Sequence, residues 1–542
     1  MQKQPLMKRV LLFMSLFGFF LTVTAQYNCW IQFANKKGTS GSLSNPSAYL
    51  SSKAIARRTK QHLEVDSTDL PVSHVYIQSV LQKGAVLKSS SRWLNGMTVI
   101  LPDTSLLSVF RALPFVKKVE LTLTPVGYTL PPPSKMPEMP SMINDVYGTA
   151  SQQIDMHNGR KLHAEGFRGK GMVIGVLDAG FYKTDQISVF DSLRLQGRLL
   201  GVKDFADPSV PFFANTEFHG TNVLSTMAAD QPDIMIGTAP DASYWLIRTE
   251  YSPSEYLVET DNWVAGLEFA DSVGVDVVNS SLGYTQFDNS GMDYTYQSLN
   301  GKTSRASIAA TMAARKGMIV VNSAGNEGNK LWHYISVPAD ADSILTVGAV
   351  DVSGAHASFS GYGSTADGRI KPDVCAVGYQ AVIATSANTI ATNNGTSFAS
   401  PIMAGLVACV WEALPSCNNM QIINLFKQYS SQFAAPDNIL GYGIPDVYTI
   451  YKNNFVSPGP NPLSDKNRGI AYFADGALKI DRLAKVKMPA IAILYAQTGQ
   501  KLAEWQLQAL PAKIGTPALP SGFYLLSVVG SQSSEVYKLV KH

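Results

Sequence analysis

The stretch Asn393 to Gly405, NNGTSFASPIMAG, sets one hydroxyl, that of Ser397, between a glycine turn and a run of small residues. Gly395 permits a sharp turn, and Thr396 and Ser397 open a helix whose buried face continues through Ala404, Leu406, Val407, Val410 and Trp411. Ser397 therefore lies at a helix N-terminus, where free backbone N–H groups and the positive end of the helix dipole favour an oxyanion. Pro401 is expected in the first turn, where its missing N–H removes little helix bonding. Taken alone, the stretch reads equally well as an ordinary N-cap, because Thr and Ser before an apolar helix are common.

A serine hydroxyl becomes a useful nucleophile only when a neutral imidazole takes its proton, and the imidazole needs an acid to hold its orientation. Two other stretches offer those groups. Met172 to Gly180, MVIGVLDAG, is a short apolar strand ending on Asp178, and Phe218 to Ala229, FHGTNVLSTMAA, places His219 at the start of a helix with small residues on its packing side. Asp before His before Ser is one of the three chain orders in which this constellation recurs on unrelated folds.

These three stretches, with Asn326 in NSAGNEG, resemble the subtilisin-like serine peptidases from about Gly166 to Tyr448, with all motifs in order. The resemblance implies Ser397 as nucleophile, His219 as general base and then acid, and Asp178 as the group that orients the imidazole. It implies Asn326 as a side-chain oxyanion donor beside the Ser397 N–H, a role that contributes about 100- to 1000-fold in rate. Ser281, Leu282 and Gly283, in NSSLGY, match the family strand that pairs with an extended substrate and forms one wall of its first specificity pocket. Two departures stand out. Ala179 replaces the hydroxyl residue usual after the catalytic Asp, and Asn222 and Ile402 stand where many relatives carry a non-catalytic His.

The chain's 542 residues argue for several domains, and 45% hydrophobic content suffices for large packed cores. A net charge of +3 gives no reason to expect nucleic acid as a partner, and the chain carries no metal-finger spacing, phosphate loop or repeat. Its four cysteines are too few for a disulfide scaffold. Cys409 and Cys417 bracket a helix end, leaving open either a disulfide or a buried free thiol. No cofactor is expected and no metal ligand is assigned. Structural calcium stays open at Asp340, Asp342 and Asp351, which read as scattered loop acids. Arg369, Lys371 and Asp373 read as a surface charge cluster and His333 as a pocket-rim or surface histidine.

Lys8 and Arg9 ahead of the apolar run Val10 to Val23, which ends in small residues through Ala25, read as an export signal over residues 1–25. No later segment reads as a membrane span. Residues 26–130 read as a βαββαβ domain: strand Cys29 to Phe33, a polar insertion, helix Val72 to Lys83, strands Ala85 to Lys88 and Gly96 to Leu101, helix Ser105 to Leu113, and strand Phe115 to Leu121. It resembles the propeptide of subtilisin-like enzymes, which assists folding, inhibits and is cut off. A proline-rich linker follows over 131–150. From 151 to 455, strands such as Val173 to Leu177, Val275 to Ser280, Met318 to Asn322 and Ile344 to Val350 alternate with helices such as Asn262 to Val273 and Ser307 to Lys316. That alternation indicates an α/β domain with a parallel sheet covered by helices. After the prolines 458, 460 and 462, residues 456–542 read as a β-sandwich. Its PNP, LYAQTGQKL, LPSGFYLLSV and KLVKH resemble the C-terminal sorting domains read by the type IX secretion system of some Gram-negative bacteria.

The expectation is a secreted or outer-surface serine endopeptidase of such a bacterium. Its partners would be protein or peptide substrates, its own propeptide and the secretion machinery. Two alternatives are a non-catalytic surface binding protein on a peptidase scaffold and a narrow-specificity processing peptidase.

Overall fold

The computed structural model describes residues 26–124, 145–455 and 470–541, apart from 475–476, 484–485, 497–498, 521 and 532. The expected leader over residues 1–25, the prolines at 131–140 and 458–462, and the turn residue Thr498 lie outside these residues. The chain divides into two compact units, Met1–Asn454 and Phe455–His542.

Seven parallel strands form the central sheet of the first unit. Their order is Val374–Val377, Leu345–Val350, Ile319–Ser323, Val277–Ser280, Val173–Asp178, Ser243–Arg248 and Leu199–Asp204. The middle strands are buried throughout, as a sheet covered on both faces requires. Leu177, Val278 and Val320 point into a core shared with the helices Leu257–Val273 and Arg305–Arg315. The helix Thr396–Ala413 packs across the strands together with His219–Ala228, and every residue of it but Glu412 is buried. It is long and apolar enough to cross a membrane, yet here it is the core helix of the domain.

Three strands escape the sequence pattern. Leu199–Asp204 has a mixed exposure pattern at the sheet edge, Ser243–Arg248 is half polar, and Val374–Val377 has only 4 residues. The charge cluster at Arg369, Lys371 and Asp373 also differs from its reading. Lys371 and Asp373 are buried, with Lys371 Nζ 2.6 Å and Lys427 Nζ 2.6 Å from the Asp373 carboxylate. Burial alone would raise the Asp373 pKa, but the two ammoniums outweigh it and hold it at about 2. Asp340 is likewise no solvated loop acid: its buried carboxylate accepts from Gly301 N at 2.7 Å and Ser307 Oγ at 2.6 Å. Among the described residues no three His, Cys, Asp or Glu side chains gather as a metal site. All four cysteines are free, and the buried Cys409 donates its thiol to Thr238 O.

The N-terminal region is the expected split βαβ sandwich. Its antiparallel sheet runs in the order Val86–Ser91, Gly96–Leu101, Tyr27–Phe33 and Val116–Leu123. Val80 and Phe110, from the helices His74–Leu81 and Leu106–Arg111, close one face over Cys29, Ile31, Met97 and Val99. The other face meets the large domain, where Trp93 enters the core that holds Leu257 and Trp263.

The polar insertion holds a further helix, Ser52–Lys60, capped by Ser51 Oγ accepting from Ala54 N. Its arginines explain its polarity. Arg57 and Arg58 are buried, and together with Arg92 they converge on the fully buried carboxylate of Asp271; the Arg58 and Arg92 contacts are 2.9 and 2.7 Å. Burial would raise the Asp271 pKa, but the three guanidiniums reverse this and hold it below the usual value. Glu268, one helical turn earlier, accepts from Arg92 N at 2.9 Å and Trp93 N at 3.1 Å. Lys316 reaches back to Asp66 and Asp69, so charges are exchanged in both directions. Buried pairs of this kind do little for net stability when intact, but losing one partner strands the rest, at about 3–5 kcal/mol.

The second unit consists of two antiparallel sheets, one of Ile470–Ala474, Ala477–Arg482 and Ala512–Gly515, the other of Lys501–Leu507, Ala490–Ala496, Gly522–Val529 and Ser534–Lys541. Leu478 and Ile480 from the first share a core with Leu494, Leu526 and Val528 from the second, giving the expected sandwich.

Asp271→Ala, made in a Ser397→Ala chain, is expected to destabilise the first unit by about 3–5 kcal/mol, read as a lower urea midpoint. Lys330→Ala, which breaks the exposed pair with Glu327, is expected to shift it by less than about 1 kcal/mol.

Candidate active site

Asp178 ends, and Ser281 and Asn326 follow, three neighbouring strands at their C-terminal ends, where ligands of parallel sheets bind. Asp178 is the last residue of its strand and is fully buried. Its Oδ1 lies 2.7 Å from His219 Nδ1 and accepts from Ala179 N at 2.8 Å. Its Oδ2 has no partner among the described residues, and the following residue, Ala179, has no side-chain donor to offer.

His219 opens its helix, and the Glu217 carboxylate accepts from Phe218 N at 2.9 Å and His219 N at 3.0 Å at the positive end of the helix dipole. The residue after His219 has to be glycine. Gly220 N donates to Gly180 O at 2.8 Å, and a Cβ there would lie 2.6 Å from that oxygen and 2.9 Å from Asp178 Cβ. Without that close approach the imidazole could not reach the carboxylate. Burial pulls the His219 pKa down, but the Asp178 carboxylate with its hydrogen bond, and Glu217 beyond it, outweigh this and hold it above the ordinary value.

Ser397 is the second residue of the buried helix. Pro401 is not in the first turn, as the sequence suggested, but at the sixth helical position. There it removes the N–H that would bond to the carbonyl four residues back, that of Ser397. The Ser281 hydroxyl takes that place, donating to Ser397 O at 2.8 Å, and Asn279 Nδ2 donates to Ser281 Oγ at 3.1 Å. The helix irregularity thus anchors the Ser397 backbone to the strand end that carries Ser281, Leu282 and Gly283. Ser397 Oγ donates to Ser281 O at 3.2 Å rather than to His219 Nε2, so transfer to His219 requires rotation of the Ser397 side chain. The His219 ring is nearby, 5.9 Å from the ring of Phe398.

Asn326 is fixed by its acceptor. Its Oδ1 accepts from Thr396 N at 2.9 Å and Thr396 Oγ1 at 3.0 Å, which assigns the amide and leaves Nδ2 as the donor turned to the Gly395 side. Thr396 therefore positions Asn326 as well as opening the helix, a role that nothing in the local pattern signals. Leu282 O accepts from Asn322 Nδ2 at 3.3 Å, tying the Ser281–Gly283 segment to the strand end that leads to Asn326. His333 is exposed, with its ring stacked on Tyr362 at 4.3 Å.

A buried carboxylate on a histidine, a serine at a helix N-terminus and an oriented amide define the hydrolase class that works through an activated serine. Residues 169–443 match the subtilase family, Peptidase S8, and residues 28–136 match the peptidase S8 propeptide domain of Bacteroidota. Subtilisin BL of Lederbergia lenta is 31% identical over 283 residues, 52% of this chain and 91% of the relative. Subtilisin DY of Bacillus licheniformis is 29% identical over 278 residues, covering 51% and 89%. A solved structure, MycP1 from the ESX-1 type VII secretion system, is 19% identical with a TM-score of 0.44 and covers 59% of this chain and 90% of that one. The chain belongs to the subtilase family of serine peptidases and carries an S8 propeptide domain.

Because only neutral imidazole accepts the serine proton, the acid limb of kcat/KM is expected above the ordinary histidine value of 6.5. Asp178→Asn removes the carboxylate that raises it, so the limb of the residual activity should move to lower pH. A pH–rate profile of both proteins checks the sign.

Proposed function

We propose that this protein is an exported serine endopeptidase that cleaves peptide bonds through an acyl-enzyme on Ser397. The observation that carries the reading is the 2.7 Å bond between His219 Nδ1 and the buried Asp178 carboxylate, beside a serine at the start of a buried helix. His219 Nε2 takes the Ser397 proton as Oγ attacks the substrate carbonyl. The oxyanion is held by Asn326 Nδ2 and the Ser397 N–H, which lies in the first helical turn and has no intrahelical acceptor. His219 then gives its proton to the leaving amine, and water releases the acyl group by the same route. Ser281, Leu282 and Gly283 pair with the extended substrate. No step needs a cofactor.

The propeptide match and the inward-facing arginines support the reading of residues 26–130 as an inhibitory, removable domain, with the linker at 131–150 as the processing site and 151–455 as the peptidase. The leader pattern over residues 1–25 and the type of propeptide support export in a Gram-negative bacterium. The sandwich formed by the described residues from 470 to 541, in a region that carries LPSGFYLLSV and KLVKH, supports delivery by a type IX secretion machinery to the surface or medium.

A fluorophosphonate probe is expected to label the mature chain and to fail on Ser397→Ala. Asn326→Ala is expected to lower kcat by about 100- to 1000-fold with little change in KM; a loss under tenfold would remove it from the oxyanion role.

Deletion from Pro458 onward is expected to leave peptide hydrolysis by the purified protein intact and to trap the activity in the periplasm of a type IX host. Cell fractionation with a hydrolysis assay checks both. Normal surface activity would reject the sorting role.

A further inference from the structure

We infer that this peptidase selects substrates with a small side chain, alanine or serine, at the residue whose carbonyl is attacked, and that Ser336 imposes the limit. The inference rests on the reading of Ser397 as nucleophile and names the substrate class of that site.

A carbonyl within reach of Ser397 Oγ and Asn326 Nδ2 places the adjoining side chain between the two segments that flank Ser397. Ser281–Gly283 is one, joined to Ser397 through the Ser281 hydroxyl, and Ala324–Asn326 is the other, joined to Thr396 through Asn326. The floor of this crevice is the segment Ile335–Val337, which bonds to both sides. Ser336 N donates to Ala324 O at 2.9 Å, while Val337 exchanges hydrogen bonds of 2.8 and 3.1 Å with Tyr284.

From that floor the Ser336 side chain rises between two glycines. A Cβ built on Gly325 would lie 2.2 Å from Ser336 Oγ, and one built on Gly283 would lie 2.7 Å from Ser336 Cβ. The space that a side chain on either wall would occupy is therefore taken by the same serine, which fills the gap between them at that level. Nothing opens beneath it, because Ile335, Val337 and Tyr284 are all buried, the first two completely. Ser336 is itself buried, which leaves shallow room above it suited to a methyl or hydroxymethyl group, whereas a benzyl or isobutyl group would meet its Cβ and Oγ. Apolar pockets discriminate by about 10- to 200-fold per methylene misfit, and an aromatic ring exceeds the available depth by several carbons.

The test is kcat/KM on a peptide series that varies only this residue, using mature enzyme and its Ser336→Ala and Ser336→Gly variants. Alanine is expected to exceed phenylalanine by at least about 100-fold in the parent enzyme. The phenylalanine rate should climb through Ser336→Ala to Ser336→Gly, reaching at least about tenfold above the parent, while fluorophosphonate labelling persists in all three. Equal cleavage after phenylalanine and alanine by the parent, or an unchanged ratio in Ser336→Gly, would overturn the inference and leave the peptidase reading standing. Absence of both labelling and turnover in the parent would overturn the peptidase reading, and this one with it.

Discussion

The bond from the Ser281 hydroxyl to the carbonyl of Ser397 holds the site together. Pro401 deprives that carbonyl of its helical donor, and a buried C=O without a partner costs about 1–3 kcal/mol. A side chain from a neighbouring strand end supplies the donor, so the start of the buried helix cannot shift relative to the sheet without losing the bond. Asn279 holds Ser281 in turn and also bonds to the Ser400 hydroxyl at 2.8 Å. The second tether, Asn326 to Thr396, fixes the same helical turn from the other neighbouring strand. Between them, two strand ends and one helix fix where Ser397 lies relative to Asn326.

The opposite side of the large domain is built on charge. The helix Leu257–Val273 presents Asp261, Glu268 and Asp271 to the N-terminal domain, which answers with Thr98, Ser91 and three arginines. Arg305 adds pairs to Asp261 and Glu120. Such an interface suits the proposed role of a domain that binds specifically and is later removed. Its buried charges make a mismatched partner costly, while its net contribution remains modest because desolvation opposes the pairing.

Much of the active site was legible because its chemistry requires particular residue types in particular local settings. Asp178 ending an apolar strand, His219 before a glycine and Ser397 after Gly395 each satisfy a local rule, and their chain order carries the resemblance. The insertion helix was not legible. Ser52–Lys60 is so rich in polar residues that it reads as solvated, and burial of Arg57 and Arg58 becomes tolerable only through Asp271, more than 200 positions away in the chain, with Asp69 as a second acceptor for Arg58. The same reason hid the buried pair of Lys371 and Asp373, whose second cation is Lys427.

By itself the sequence determined the residue types proposed for the chemistry, the alternation that gives a helix-covered parallel sheet, and the split βαβ order of the first domain. These follow from local periodicity and from the short reach of turn and cap residues. Tertiary structure alone decided what replaces the bond that Pro401 deletes, which acids accept the arginines, and how deep the crevice beside Ser397 runs. Each depends on segments brought together from distant parts of the chain. Ser336 is the plainest case: in the sequence it is one serine in an apolar stretch, and only the approach of Gly283 and Gly325, each just beyond the end of a sheet strand, makes its two side-chain atoms the floor of the proposed pocket.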